Sequence, residues 1–322
     1  MRPRLCLVYQ DLASFVRMDA EILAKYFTVE QIQFRGPSDV LRLARRISTA
    51  AVSVSWFALG HATAAVAISR VLRKPSVIFL GGWDVAAMPE IGYGAMVGRS
   101  RIRKTTWTLR NATVVFAVSE TNRQEARRWT NREVITIPLG VDVDYFVPGD
   151  GKKPVVATSA SVTHEATIRT KGLDILFDAA RQIPQVRFKL FGRHSSEMAR
   201  VLRVLAPSNV DIMGWLERSD VRSTLQDAAV YAQLSAHESF GLTAAEAMAC
   251  GCTPVVSDRG ALPELVGDSG FVVPYGDAAA AASAIAIALE TPKGPKARSR
   301  ILQRFPLALR QERLLRAIEG LL

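Results

Sequence analysis

Cysteine is scarce: three in 322 residues, two of them, Cys250 and Cys252, separated by one glycine. Three cannot build a disulfide framework, and no histidine stands beside them at zinc spacing. They read as small buried side chains of a reducing compartment. No stretch reaches the ~18 apolar residues that a membrane span requires. At the start, Met1-Arg-Pro-Arg leads into a five-residue apolar run. That run is too short for a signal-peptide core and suits a first β-strand, so the expected location is cytoplasmic. No Gly-x-Gly-x-x-Gly follows it, which argues against a dehydrogenase. Clusters of Asp, Glu, His or Cys at ligand spacing are also missing, so no catalytic metal is expected. Aromatic residues make up 7%, with no stacking series and no RNA-binding signature, so nucleic acid is not an expected partner.

Present instead are short apolar runs with helical stretches between them. Runs of strand length cover residues 5–9, 29–34, 51–57, 76–80, 113–118 and 134–137, with helices expected over 18–27, 62–72 and 121–129. The pattern restarts at 155–159 and continues through 188–191, 210–213, 230–234, 253–256 and 271–273. Such alternation predicts parallel sheets joined by right-handed helical crossovers. Pro148-Gly-Asp-Gly-Lys-Lys-Pro154 separates the two series as a turn-rich boundary. The expected division is therefore 1–148, 149–304 and a terminal helix over 305–322. Length agrees with about two domains.

The most informative segment is Glu238-Ser-Phe-Gly-Leu-Thr-Ala-Ala-Glu246-Ala-Met-Ala-Cys250. A strand-length run precedes it and another follows, giving strand, loop, helix, strand. Glu238 then falls at the carboxyl end of a strand, where open α/β sheets bind their ligands. Glu246 falls about one turn into the helix. Unpaired N–H groups and the dipole at a helix start favour a phosphate. A carboxylate one turn in can accept from a ribose diol, and Glu238 can hold another hydroxyl-rich group. The inferred ligand is a nucleotide diphosphate joined to a sugar.

This segment, with Pro254-Val-Val-Ser-Asp-Arg-Gly260-Ala-Leu-Pro-Glu264 behind it, resembles the E-x7-E signature of glycosyltransferase family 4. That resemblance implies an α/β GT-B architecture, two Rossmann-like domains whose parallel sheets face a central cleft. It also implies retaining transfer of a sugar from a nucleotide-diphosphate donor, such as a UDP- or GDP-sugar, to an acceptor hydroxyl. No cofactor is implied beyond the nucleotide sugar itself. Lys171-Gly-Leu-Asp is similar to the family's Lys-Gly motif at a helix start. A lysine there stabilises the leaving diphosphate most when its charge is fully developed. The Arg usually found five positions earlier is replaced by Ala166, and Arg169 is the candidate substitute. The resemblance places Lys171 and Glu238 at the reacting centre, with Asp84 beside them. It makes Arg169, Gly192, Gly214, Trp215, Leu216, His237, Phe240, Gly241, Leu242, Thr243 and Glu246 the donor-binding set. Trp215 reads equally as packing, and a lone His beside a loop, as His237 is, is more often structural than a sugar contact. Two alternatives stay open: an epimerase or phosphorylase of similar fold, and a catalytically silent carbohydrate- or membrane-binding relative.

The first half departs further from the family. Tyr9-Gln-Asp11-Leu-Ala-Ser-Phe15 lacks the Gly-Gly loop that relatives carry after the first strand. Gly81-Gly82-Trp83-Asp84 follows a later strand instead, and Asp84 is either a hydroxyl ligand or a cap. Asp142-Val-Asp144 imitates a metal site, but Pro138, Gly140, Phe146 and Pro148 around it mark an interdomain linker. The net charge is +11, from 41 Lys+Arg against 30 Asp+Glu, and residues 1–150 hold 20 of the basic and 13 of the acidic side chains. Arg99, Arg101, Arg103 and Lys104 precede Trp107, and Arg42, Arg45 and Arg46 share a helix. A surface of this kind is either solvated only or attracts nucleic acid, an anionic membrane or a phosphorylated acceptor. Peripheral contact with the inner membrane face, and a lipid-linked or polysaccharide acceptor, are the corresponding expectations.

Overall fold

A computed structural model describes residues 2–322. The first six strands are β1 (Arg4–Tyr9), β2 (Thr28–Gln33), β3 (Val52–Trp56), β4 (Ser76–Phe79), β5 (Val114–Ala117) and β6 (Val134–Thr136). They form one parallel sheet in the order β2-β1-β3-β4-β5-β6. The second six are β7 (Lys153–Ser159), β8 (Arg187–Phe191), β9 (Val210–Gly214), β10 (Ala228–Gln233), β11 (Thr253–Ser257) and β12 (Phe271–Val273). Their sheet, also parallel, runs β12-β11-β10-β7-β8-β9. Each strand coincides within a few residues with an apolar run of the sequence. Helices Ser14–Ala24, Gly60–Val71 and Glu120–Arg127 occupy three of the expected helical stretches, the first beginning and ending earlier than its pattern suggested.

Every residue of β3 and of β11 is buried. Helices cover both faces of a parallel sheet, so central strands are buried on both sides, the serines of β3 included. In the second sheet the chain steps from β7 to β8 and β9 on one side, then returns to lay β10 on the other. The switch point therefore lies between β7 and β10. Loops leaving the carboxyl ends of these two strands flank the crevice where such sheets hold ligands.

The chain divides into two compact units, residues 1–139 with 310–322, and residues 140–309. These limits differ from the expected 148/149 and 304/305. Residues 140–148 group with the second unit because Val141 is bonded into it: its N–H donates to the Phe305 carbonyl at 2.8 Å, and its carbonyl accepts from Leu307 N–H at 2.8 Å. Residues from Arg310 onward group with the first unit, where the Arg310 guanidinium grips Asp19 through two bonds of 2.7 and 2.6 Å.

Candidate active site

The loop after β10 carries Glu238, and the helix Leu242–Ala249 follows it. Gly260 determines how closely the neighbouring loop can approach. Its φ is +58°, and a Cβ there would stand 2.3 Å from the Glu238 carbonyl oxygen. Only glycine permits both the left-handed backbone and the contact. Ala261 N–H then bonds the same carbonyl at 2.8 Å, so the Glu238 backbone is clamped by the loop after β11.

The loop after β7 holds a short helix, Ala166–Thr170, and Lys171 stands at its end, just before the helix Leu173–Gln182. Ala236 N–H bonds the Thr170 carbonyl at 2.9 Å, tying the two switch-point loops together. This brings Lys171 Nζ to 2.7 Å from Glu238 Oε1, with the side chains 28% and 16% exposed. Two residues placed at the reacting centre from sequence thus meet as an ion pair.

Glu238 Oε1 has two further donors, Gln233 Nε2 at 3.0 Å and Ser235 Oγ at 3.0 Å. Gln233 Nε2 also reaches Ser235 Oγ at 2.8 Å, while Gln233 Oε1 accepts from the buried Tyr231 hydroxyl at 2.9 Å. Tyr231 and Gln233 are alternate residues of β10, which a strand directs to one face, and Ser235 follows two residues beyond its end. None of the three was singled out from sequence, although polar groups at period two inside an apolar run are a visible signal.

Glu246 lies half-buried in the helix Leu242–Ala249. Burial pushes its carboxyl up to about 8, opposed only by the charge of Arg218. A carboxyl so desolvated lacks the hydrogen bonds that would lower it, and is suited to accept from hydroxyls of a ligand. Gly241 precedes the helix in a left-handed conformation, and Leu242 and Thr243 form its first turn.

The other members of the expected donor-binding set lie on the same unit. Arg169 is exposed on the short helix, and its carbonyl accepts from the Tyr275 hydroxyl at 3.2 Å. Gly214 ends β9, Trp215 is 61% exposed, and Arg193 stacks on the Trp215 ring at 5.2 Å. Leu216 is half-buried and His237 is buried.

One expectation is corrected, and two further residues show close partners within the protein. Asp84 is fully buried; its Oδ2 accepts from Ala58 N–H at 2.8 Å and its Oδ1 from Gly82 N–H at 2.9 Å. Both oxygens serve to fasten the loops after β3 and β4, so Asp84 acts as a cap and not as a ligand for hydroxyls. Burial moves its carboxyl up to about 6 against those two bonds. Phe240 is buried and packs edge-on against Phe305 with centroids 5.5 Å apart. Gly192 does mark a close approach, but the neighbour is protein: a Cβ would stand 2.1 Å from the Ala160 carbonyl oxygen.

Asp142 is occupied by the linker itself, accepting from Tyr145 N–H at 3.1 Å and pairing with Arg218 at 3.2 Å. Among the described residues there is no group of three or more His, Cys, Asp or Glu that would hold a metal ion. In the first unit the helix Arg99–Asn111 exposes Arg99, Arg101, Arg103 and Lys104, with Trp107 40% exposed. No helix of the described residues is long and apolar enough to cross a membrane.

Two Rossmann-like units, the second with charged and polar groups gathered at its switch point, define a GT-B protein. Solved structures agree across the whole chain. Sucrose-phosphate synthase from Thermosynechococcus elongatus superposes with a TM-score of 0.80 at 18% identity, covering 99% of both chains. Anabaena HepE in complex with UDP and glucose does so with a TM-score of 0.80 at 18% identity, covering 99% of this chain and 100% of that one. Residues 153–291 match the family model Glycosyl transferases group 1. The resemblance drawn from the two glutamates is borne out. Among catalogued relatives, a phosphatidyl-myo-inositol mannosyltransferase of Mycobacterium leprae (strain TN) is 29% identical over 173 residues, 50% of this chain and 46% of that protein. A D-inositol 3-phosphate glycosyltransferase of Mycobacterium leprae (strain Br4923) is 31% identical over 176 residues, 50% of this chain and 41% of that protein. The matches span less than half the length of these relatives.

Proposed function

We propose that the protein is a retaining glycosyltransferase that moves a sugar from a nucleotide-diphosphate donor to an acceptor hydroxyl without a catalytic metal. The observation that carries this reading is the Lys171–Glu238 ion pair at the switch point of the second sheet. In this reading the donor diphosphate lies beside Lys171 and the first turn of the helix Leu242–Ala249. Charge grows on the leaving phosphate as the glycosidic bond breaks, and the lysine stabilises it most at that point. Glu238 orients the transferred sugar through a hydroxyl, and Glu246 accepts from the ribose diol. Arg169 supplies the second positive charge in place of the family's usual arginine, and Trp215 lies toward the base. The acceptor attacks the face from which the phosphate departs, and the departing phosphate takes the acceptor proton.

The acceptor is proposed to be lipid-linked. Support comes from the exposed basic, Trp-bearing helix of the first unit and from the relatives, one of which is named for a phosphatidyl-inositol acceptor. Attachment to the membrane would be peripheral. A panel of UDP- and GDP-sugars, scored by thermal shift and by nucleotide release, tests the donor assignment. A donor at a hundredfold excess over its Kd should stabilise the protein by about 2.7 kcal/mol. No stabilisation and no release by any of them would dismiss the reading.

A further inference from the structure

We infer that Gln233, held by Tyr231, is a positioning residue that aims Glu238: it fixes one carboxylate oxygen on Lys171 and leaves the other for the transferred sugar. The inference rests on the glycosyltransferase reading of the same site. Its starting point is convergence, since Lys171 Nζ, Gln233 Nε2 and Ser235 Oγ all end on Oε1 of Glu238, at 2.7, 3.0 and 3.0 Å. Three donors on one oxygen set the plane of the carboxylate and its rotation about the last bond. Oε2 then keeps its lone pairs for a hydroxyl.

The amide cannot turn over without loss. A glutamine has two N–H donors on one end and a carbonyl acceptor on the other. Here the donors serve Glu238 Oε1 and Ser235 Oγ, and the carbonyl accepts from the Tyr231 hydroxyl at 2.9 Å. Tyr231 is wholly buried and Gln233 nearly so. A flipped amide would aim its carbonyl oxygen at the Glu238 carboxylate, a pairing in which neither atom can donate. Inside a low-dielectric core that mismatch is costly. Tyr231 thereby sets the amide, the amide sets Glu238, and Glu238 sets Lys171, which touches the leaving group in the proposed reaction. The titratable groups around the amide are Tyr231, Glu238 and Lys171, with Glu246 acting on the Tyr231 phenol from the neighbouring helix.

Two substitutions test the inference, with UDP-glucose and GDP-mannose as donor probes and nucleotide release as the readout. Gln233→Leu removes both donors at similar volume and should lower kcat about tenfold or more, with donor KM and nucleotide affinity nearly unchanged. Gln233→Glu supplies the discriminating signature. When protonated, the new carboxyl donates to Glu238 as the amide does; when ionised, it repels Glu238 and competes for Lys171. The Gln233→Glu kcat should therefore approach the original value at low pH and fall as pH rises, along a limb that the unaltered protein lacks. Melting temperatures should show the same divergence without any donor present. Wild-type-like kcat in Gln233→Leu, or equal loss in Gln233→Glu at every pH, overturns the positioning role while leaving the transferase reading intact. Failure of the unaltered protein to bind or turn over any nucleotide sugar overturns both.

Discussion

Lys171 Nζ lies 2.7 Å from Glu238 Oε1, a contact between residues 67 positions apart in the chain. The pair is partly shielded from water, so the attraction is stronger than at an open surface and less open to salt. In the proposed reaction a diphosphate beside Lys171 would meet a cation already fixed in place, so little reorganisation would accompany charge development. Lys171→Met should then lower kcat about a hundredfold, comparable to loss of one preorganised donor, while donor affinity changes far less. Single-turnover kinetics together with equilibrium binding separate the two effects. A change confined to binding would make Lys171 a ground-state anchor.

Glu246 gives the site a pH dependence. Its carboxyl, ordinarily at 4.5, is raised to about 8 by burial. The folded protein therefore holds this proton more tightly than the unfolded chain, and the associated stability is complete below about pH 4.5. It declines as pH rises and is gone above about 8. A ribose diol donates to the ionised form, so nucleotide binding near pH 7 should expel the proton. Calorimetry in buffers of different ionisation enthalpy should detect that release with UDP or GDP. Glu246→Gln should abolish both the release and this part of the pH dependence of melting, and should weaken nucleotide binding by roughly 1.5–3 kcal/mol. Unchanged affinity would remove Glu246 from the ribose role.

The sheets were legible because their signal is local: short apolar runs bounded by turn formers, twelve of them, became the twelve strands. The two glutamates and Lys171 were legible because family motifs fix their spacing. Properties that depend on distant partners were not. Asp84 stands at a strand end, as expected, but its role is set by Ala58 N–H, 26 residues away. The unit boundary follows Val141, whose bonds go to residues 305 and 307, and no turn signal near Pro148 carries that information. Tyr231 and Gln233 alternate along β10 with Ser235 two residues beyond, yet only their linkage to Glu238 distinguishes them from polar residues tolerated in an apolar run.

The first unit depends on a buried ion pair. Arg310 and Asp19 are each 1% exposed. The guanidinium also donates to the Ile137 and Pro138 carbonyls at 2.9 and 2.8 Å, and Trp56 Nε1 donates to Asp19 Oδ2 at 3.2 Å. Every oxygen and nitrogen of the pair is thus occupied, which offsets its desolvation. Removing one partner leaves the other charged in an apolar core. Arg310→Leu should destabilise the protein by about 3–5 kcal/mol, measured as a lowered denaturation midpoint. Asp19→Leu combined with Arg310→Leu should cost less than the two separate losses added together.

Activity should withstand chelation. In the proposed reaction Lys171 and the first turn of the helix Leu242–Ala249 supply the positive potential that other transferases draw from a divalent ion. Nucleotide release measured in excess EDTA should equal that in its absence. Loss of turnover restored by Mn²⁺ or Mg²⁺ would replace this electrostatic account with a metal-assisted one.

The basic helix Arg99–Asn111 should bind anionic lipid. Its exposed Arg99, Arg101, Arg103 and Lys104 each gain about 1 kcal/mol near an anionic surface, an attraction that falls off within a Debye length. Trp107, 40% exposed on the same helix, adds an amphipathic ring suited to the headgroup level. The protein should sediment with vesicles containing phosphatidylserine at low salt, be released at high salt, and ignore neutral phosphatidylcholine vesicles. Replacing the four basic residues with Ser should abolish sedimentation while leaving donor hydrolysis unchanged, because none of them belongs to the second unit that holds the Lys171–Glu238 pair. Equal recovery in the supernatant with both vesicle types would mean that this basic face is only solvated, and the case for a lipid-linked acceptor would then rest on relatives alone.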